Sequence, residues 1–387
     1  MGRERVERVM TRRERLMATL QGKAVDRPPV SFYEIGGWKM DTNDDEFSVW
    51  NDPSWRPLVE LAHEETDLIR MVGANWKDAD DGLAELKIEE TWREGDSLFT
   101  RSTVRAGART LTSLTRRDKD TQTDWTIEHL LKDVEDVEAY LALPEPAIGE
   151  VDISGIIAEE QDLGESGIVS IELGDPICSA AGLFSMEDYT VLALTRPEVF
   201  HKLLDRFARI IFPRCEQLAK ACPGRLWRIC GSEYASEPYL PPRLYEEYVV
   251  RYTGQMVREI QKYGGYARIH SHGRLRGIMP HIASMKPDGL DPLEPPPQGD
   301  MELREIKEVI GRDTVLMGNI ESADVENLAP AEFEKKVVTA LSEGTAGDGR
   351  GFILQPSACP YGRKITARTM ANYETMVRLA KEWAGRK

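Results

Sequence analysis

The stretch Tyr266–Pro297, YARIHSHGRLRGIMPHIASMKPDGLDPLEPPP, decides the fold. Two short apolar runs, Tyr266–His270 and Gly289–Leu293, flank a helical pattern. This is the unit of a parallel sheet built from strands and crossover helices. The same rhythm extends outward in both directions. Candidate strands precede it at Ile168–Leu173 and Leu226–Cys230, and follow at Val315–Gly318 and Gly351–Leu354. Between them lie helical patterns. In Arg243–Lys262, Leu244, Tyr248, Val249, Tyr252, Met256 and Ile260 make one apolar stripe. Met301–Ile310, Ala331–Leu341 and Lys364–Trp383 read the same way.

Two earlier strands, Pro29–Tyr33 and Asp67–Val72, bring the count to eight, the second after a helical Leu58–Glu65. Eight strands mostly followed by helices predict the α/β class and a (β/α)8 TIM barrel. The rival is a doubly wound open sheet, which often carries an early GxGxxG turn. That turn is absent, and residues 1–387 read as a single barrel domain. Residues 84–126 break the rhythm with alternating polar and apolar residues around GD and AGA turns. They predict a β-meander inserted between the second and third barrel strands.

Charge sets limits on partners. Fifty basic and 66 acidic residues give a net −16. Such a chain repels phosphate backbones and anionic lipid, which argues against nucleic-acid and membrane partners. Residues 128–165 form an acidic helical segment with twelve acids and one base, expected to carry a solvated face. No apolar run is long enough for a membrane span. The opening MGRERVERVMTRRERLM lacks the apolar core of a secretory signal. It predicts an amphipathic helix, Thr11–Leu20, on the outside of the fold. Five scattered cysteines without CxxC fit a reducing cytoplasmic setting.

In a barrel, chemistry gathers after the strands. Glu34 and Trp38 follow the first, Glu233 and Tyr234 the fourth, and His270 and His272 the fifth. Glu294 follows the sixth, Asn319 the seventh, and Cys359 and Tyr361 the eighth. The pair His270-Ser271-His272 is the sharpest signal. If the loop turns both imidazoles inward they can hold zinc, with Cys359 and Glu233 or Glu294 completing an open site. The plain alternative is one histidine packed at the rim and the other hydrogen-bonded. Glu294 opens a rigid Pro295–Pro297 run that would fix its carboxylate over the mouth, or that merely stiffens a connection. Trp38, Tyr234 and Tyr361 would line the mouth. No GxSxG, GxxxxGK[ST] or DxHxxG motif is present.

Several segments resemble uroporphyrinogen decarboxylase-related proteins. They are TRRERLMATLQGKAVDRPPV (11–30), IHSHGRLRGIMPHI (269–282), DGLDPLEPPPQGDM (288–301) and VLMGNIE (315–321). The resemblance runs from about Thr11 to Trp383 and implies the (β/α)8 barrel. The superfamily holds a cofactor-free decarboxylase and zinc-dependent methyltransferases that work with a corrinoid protein. The decarboxylase grips carboxylates with arginines after its first strand. Here that place reads FYEIGGWKMD (32–41), without arginine. The zinc enzymes use a His-x-Cys pair and a later Cys. His270 matches the first, His272 stands at the second, and Cys359 approximates the third. The resemblance therefore implies a monomeric or homodimeric methyltransferase that demethylates a small methyl ether or methylamine. Zinc would sit on His270, His272, Cys359 and Glu233, and a separate corrinoid protein would receive the methyl group. Glu233, Glu294 and Tyr361 would act in catalysis, and Glu34, Trp38, Tyr234 and Asn319 would bind substrate. A metal-free decarboxylase or other lyase using Glu233, His270 and Glu294 is the alternative. A binding protein without turnover is a third.

Overall fold

The computed structural model describes residues 8–37 and 46–385. Seven parallel strands form one curled sheet in chain order. They are Leu68–Val72, Gly167–Gly174, Leu226–Cys230, Tyr266–Ser271, Gly289–Pro292, Val315–Ile320 and Gly351–Pro356. The predicted first strand, Pro29–Tyr33, shrinks to a single bridge between Val30 and Leu354. Pro28 and Pro29 have no N–H, and the Val30 N–H is taken by the Asp67 carboxylate, so the segment's backbone pairing stays short. Its remaining groups still reach both edges. Ser31 N–H donates to Leu354 O at 2.9 Å, and Asp67 N–H donates to Val30 O at 2.7 Å. The result is a TIM-like arrangement with helices packed outside.

Strand register fixes which side chains face inward. Leu226 pairs with Tyr266, and both belong to an inner apolar layer with Ile69, Ile168, Val315, Met317 and Ile353. Successive side chains alternate, so Arg228, Cys230, Arg268 and His270 also face inward, nearer the C-terminal end. The inner layer is completed by Leu16 and Leu20. This corrects the expected outer placement of the N-terminal helix. Arg12–Leu20 starts at a Thr11–Glu14 capping box and plugs the lower end of the sheet.

Between Val72 and Gly167 the chain forms a second, antiparallel sheet of Lys87–Glu94, Ser97–Ala106, Arg109–Asp118 and Asp124–Glu128. Its first two turns use Gly95 and Gly107 at φ 59° and 62°, a conformation that glycine adopts freely.

Seven of the twelve acids in residues 128–165 are exposed, and several are paired with basic residues. Val134–Leu141 and Ser154–Leu163 are helices, and their flanks and faces meet basic residues. Arg70, 2 % exposed at its side chain, pairs with Glu159 at 2.5 Å and Asp162 at 2.9 Å. Glu160 bridges Arg13 at 3.0 Å and Arg225 at 2.9 Å. Asp133 and Asp136 both hold Arg109 at 2.8 Å. The acids of this segment thus fasten it to neighbouring elements. All five cysteines are free. Among the described residues no helix is long and apolar enough to cross a membrane.

Candidate active site

Parallel register builds the charged layer below the mouth. Glu172 pairs with Arg228, and His270 with Asp291, on adjacent strands. Arg228 donates to Glu172 at 2.6 Å. His270 Nδ1 lies 3.0 Å from Asp291 Oδ2, and Arg268 Nε lies 3.4 Å from Oδ1. Asp291 is fully buried, yet Arg268 and His270 overcome that burial and hold its carboxyl well below the usual range. Burial dominates at His270 and pushes it down to about 4 despite Asp291, so its ring is neutral at pH 7. Tyr33 stacks on His270 with ring centroids 5.7 Å apart.

His272 sits one step higher, its ring edge-on to His270 at 4.5 Å. Its Nδ1 is 2.7 Å from Glu294 Oε1, and Glu294 Oε2 accepts Gly273 N–H at 2.6 Å. Gly299 lets the loop fold back onto Glu294, because any Cβ there would collide with the Glu294 backbone oxygen. Burial alone would lower the His272 pKa. Its bond to Glu294, with the charges of Glu294, Glu233 and Asp291, raises it instead. The Glu294 carboxyl is correspondingly lowered against its own burial. Adjacent imidazoles thus take opposite states, one neutral and one disposed to hold a proton.

Two lobes meet at His272, Ala358 and Tyr361. The inner lobe, about 450 Å³, is walled by Tyr33, Glu34, Trp50, Met71, Arg228 and Cys359, with Gln122 above. The outer lobe, about 820 Å³, carries Glu233, Tyr234, Glu294 and Glu321. Burial raises the Glu233 pKa, although its carboxylate accepts Gly231 N–H at 3.1 Å. Another cavity of about 610 Å³ lies at the opposite end, among Arg12, Arg15 and Asp26, away from these groups.

The expected site residues divide accordingly. Glu34 and Cys359 share the inner lobe, and the Cys359 thiol bonds Glu34. Tyr234, Glu233 and Glu294 line the outer lobe, and Tyr361 lines both. His270 and Asn319 are buried and line neither lobe. Trp38 lies outside the described residues. The metal set His270, His272, Cys359 and Glu233 is not brought together. Among the described residues no three or more His, Cys, Asp or Glu are grouped to hold a metal ion. One nitrogen of each imidazole is committed to a carboxylate. Burial and the neighbouring Glu34 raise the Cys359 thiol pKa well above its ordinary value. A carboxylate on one imidazole nitrogen also orients histidines that ligate a metal through the other, so this arrangement by itself assigns no metal.

Reading the sequence missed Tyr33, Arg228, Arg268, Asp291 and Gln122. Three of them were detectable. A charged residue inside an apolar strand is costly unless it is paired, so Arg228, Arg268 and Asp291 signalled a polar layer. They also show that arginines can enter this interior from strands other than the first.

The fold is a TIM-like α/β arrangement with a charged layer below its mouth. The family profile, uroporphyrinogen decarboxylase (URO-D), matches residues 133–383. The chain belongs to that family. No curated protein matches it. Among solved structures, it is similar to a methyltransferase from Methanosarcina mazei at 15% identity and TM-score 0.57. That match covers 96% of this chain and 99% of the other.

Proposed function

We propose that the chain is a methyltransferase that takes a methyl group from a small methyl ether or methylamine and passes it to a corrinoid protein. One observation carries this reading: His272 stands where the two lobes meet, its proton held there by Glu294. The substrate occupies the inner lobe, and the acceptor approaches through the outer one. The bond from methyl carbon to oxygen or nitrogen breaks, and its electron pair stays on the heteroatom. His272 gives that atom a proton as the bond lengthens. A corrinoid on the partner supplies the electron pair that captures the methyl group. No step is assigned to zinc. In the same reading Pro29–Tyr33 is the first strand of a (β/α)8 barrel. The antiparallel sheet is then an insertion between its second and third strands.

The test mixes the purified chain with cob(I)alamin and single-ring methyl ethers or methylamines, and follows methylcobalamin formation by absorbance. Turnover that is lost in His272→Ala supports the reading. Absence of methyl transfer from every probe overturns it. Elemental analysis is the second check. Stoichiometric zinc that disappears in a His270→Ala/Cys359→Ala double variant would replace the proton donor with a metal.

A second reading rests on Arg228, whose Nε is buried without a partner in the described chain. It suits a substrate carboxylate and hence a decarboxylase acting on a different substrate. Carbon dioxide release without methyl transfer would select it.

A further inference from the structure

Cys178 and Cys230 lie far apart in the chain and come together at the C-terminal ends of two adjacent strands. Cys230 ends the strand Leu226–Cys230, and its register partner on the neighbouring strand is Gly174. Residues paired in a parallel ladder project to the same side of the sheet. Gly174 has no side chain, and the Cys178 sulfur occupies the space beside it, 3.7 Å from where a Cβ would stand. The Cys230 sulfur leans the same way, 4.0 Å from the Leu173 carbonyl oxygen.

The backbone holds the two elements close. Asp175 accepts the Cys178 N–H at 2.9 Å through its carboxylate, and its own N–H donates to Cys230 O at 3.0 Å. Gly231 follows Cys230 at φ 120°, and a Cβ there would stand 2.3 Å from the Cys178 Cβ. Any side chain at 231 would drive the two cysteines apart.

The thiols share a hydrogen bond. Cys178 donates it, which raises its own pKa and lowers that of Cys230; the Arg228 guanidinium lowers Cys230 further, against burial. Both residues are partly exposed, whereas Cys215, Cys222 and Cys359 are buried. Thiolate character and access make a cysteine oxidisable, and a second thiol beside it can resolve the product.

We propose that Cys178 and Cys230 are a peroxide-reactive dithiol that closes to a reversible disulfide, with Cys230 attacking and Cys178 resolving. The Cys230 sulfur attacks hydrogen peroxide. An S–O bond forms, the O–O bond breaks, and the departing oxygen leaves as water with the Cys230 proton. The Cys178 sulfur then attacks the resulting sulfenic acid. The S–S bond forms, the S–O bond breaks, and the hydroxyl leaves as a second water with the Cys178 proton. Two thiols are oxidised by two electrons, and one peroxide is reduced to two waters. A small thiol restores the pair by exchange. In a reducing setting such disulfides are transient and redox-sensing. The site is independent of the methyl-transfer reading.

The test treats the folded full chain with equimolar hydrogen peroxide, blocks the remaining thiols by alkylation and maps linked peptides by mass. The expected result is a Cys178–Cys230 linkage that dithiothreitol reverses, with free thiols falling from five to Cys215, Cys222 and Cys359. In Cys178→Ser the sulfenic acid should persist on Cys230 and be captured by dimedone. In Cys230→Ser, capture at Cys178 should be about tenfold weaker or less. No linkage in the folded chain, linkage that forms only after unfolding in urea, or capture at Cys178 as strong as at Cys230 overturns the inference.

Discussion

The two ends of the parallel sheet are built from similar residues and differ in how completely those residues are satisfied. At the lower end Asp67 is fully buried and accepts from Arg15 at 2.5 Å, Arg27 at 2.7 Å and Val30 N–H at 2.9 Å. Arg15 also holds Asp26 at 2.6 Å. Apolar side chains from the N-terminal helix close the space above. At the mouth, Tyr33 OH, Arg228 Nε and Gln122 Oε1 are buried without partners, beside a cavity. The Asp67 cluster is fully paired, whereas the mouth keeps unpaired polar atoms in residues beside a cavity. In TIM-like folds this division between a stability face and a chemistry face is general.

The strongest way to break the contrast is at His272. His272→Ala should lower methyl transfer by about 10²–10⁴-fold while the fold stays intact. The pH profile sharpens the point. In the proposed reaction activity needs the protonated ring, so it should be lost as pH rises through the His272 pKa. Glu294 raises that pKa, so Glu294→Gln should shift the falling limb to lower pH. A limb that does not move would remove Glu294 from this role.

The lower end should respond in stability instead. Asp67→Ala strands the buried Arg15 and Arg27 charges and should cost about 3–5 kcal/mol in urea unfolding. The activity of the remaining folded protein should be unchanged.

His270 joins the two behaviours. Its folded pKa of about 4 lies below its ordinary 6.5. Between those values the unfolded chain binds a proton that the folded chain refuses. Stability therefore falls as pH drops through that window. His270→Gln keeps a donor for Asp291 and should flatten the dependence of the urea midpoint on pH between 6.5 and 4.

Tyr33→Phe removes an orphan hydroxyl. It should leave the urea midpoint unchanged or slightly higher. Smallest of all is Glu145→Ala. The Glu145–Arg209 pair is 2.6 Å long but exposed by more than half on both sides. Its loss should change stability by about 0.5 kcal/mol or less.

Much of this molecule is written in local pattern. The strand at Tyr266 and its neighbours were legible because apolar runs and helical stripes have different periods. His272, Glu294 and Cys359 were legible as residues following strands. The first strand is reduced to the Val30–Leu354 bridge with backbone bonds to both neighbouring segments. The ion pairs of the acidic segment were not legible. Charge counts say nothing about partners, and Arg13, Arg70 and Arg225 come from distant parts of the chain.

The sequence by itself determined the class of fold, since that follows from periodicity and strand order. Only the tertiary structure decided the charge states and the pairings. His270 and His272 are the same residue type two positions apart, yet one is held neutral by burial and the other is disposed to protonation by Glu294. The tertiary structure also brought Gln122, 148 residues earlier than His270 in the chain, into the same mouth. Burial and cross-strand neighbours set these properties, and neither is a property of local sequence.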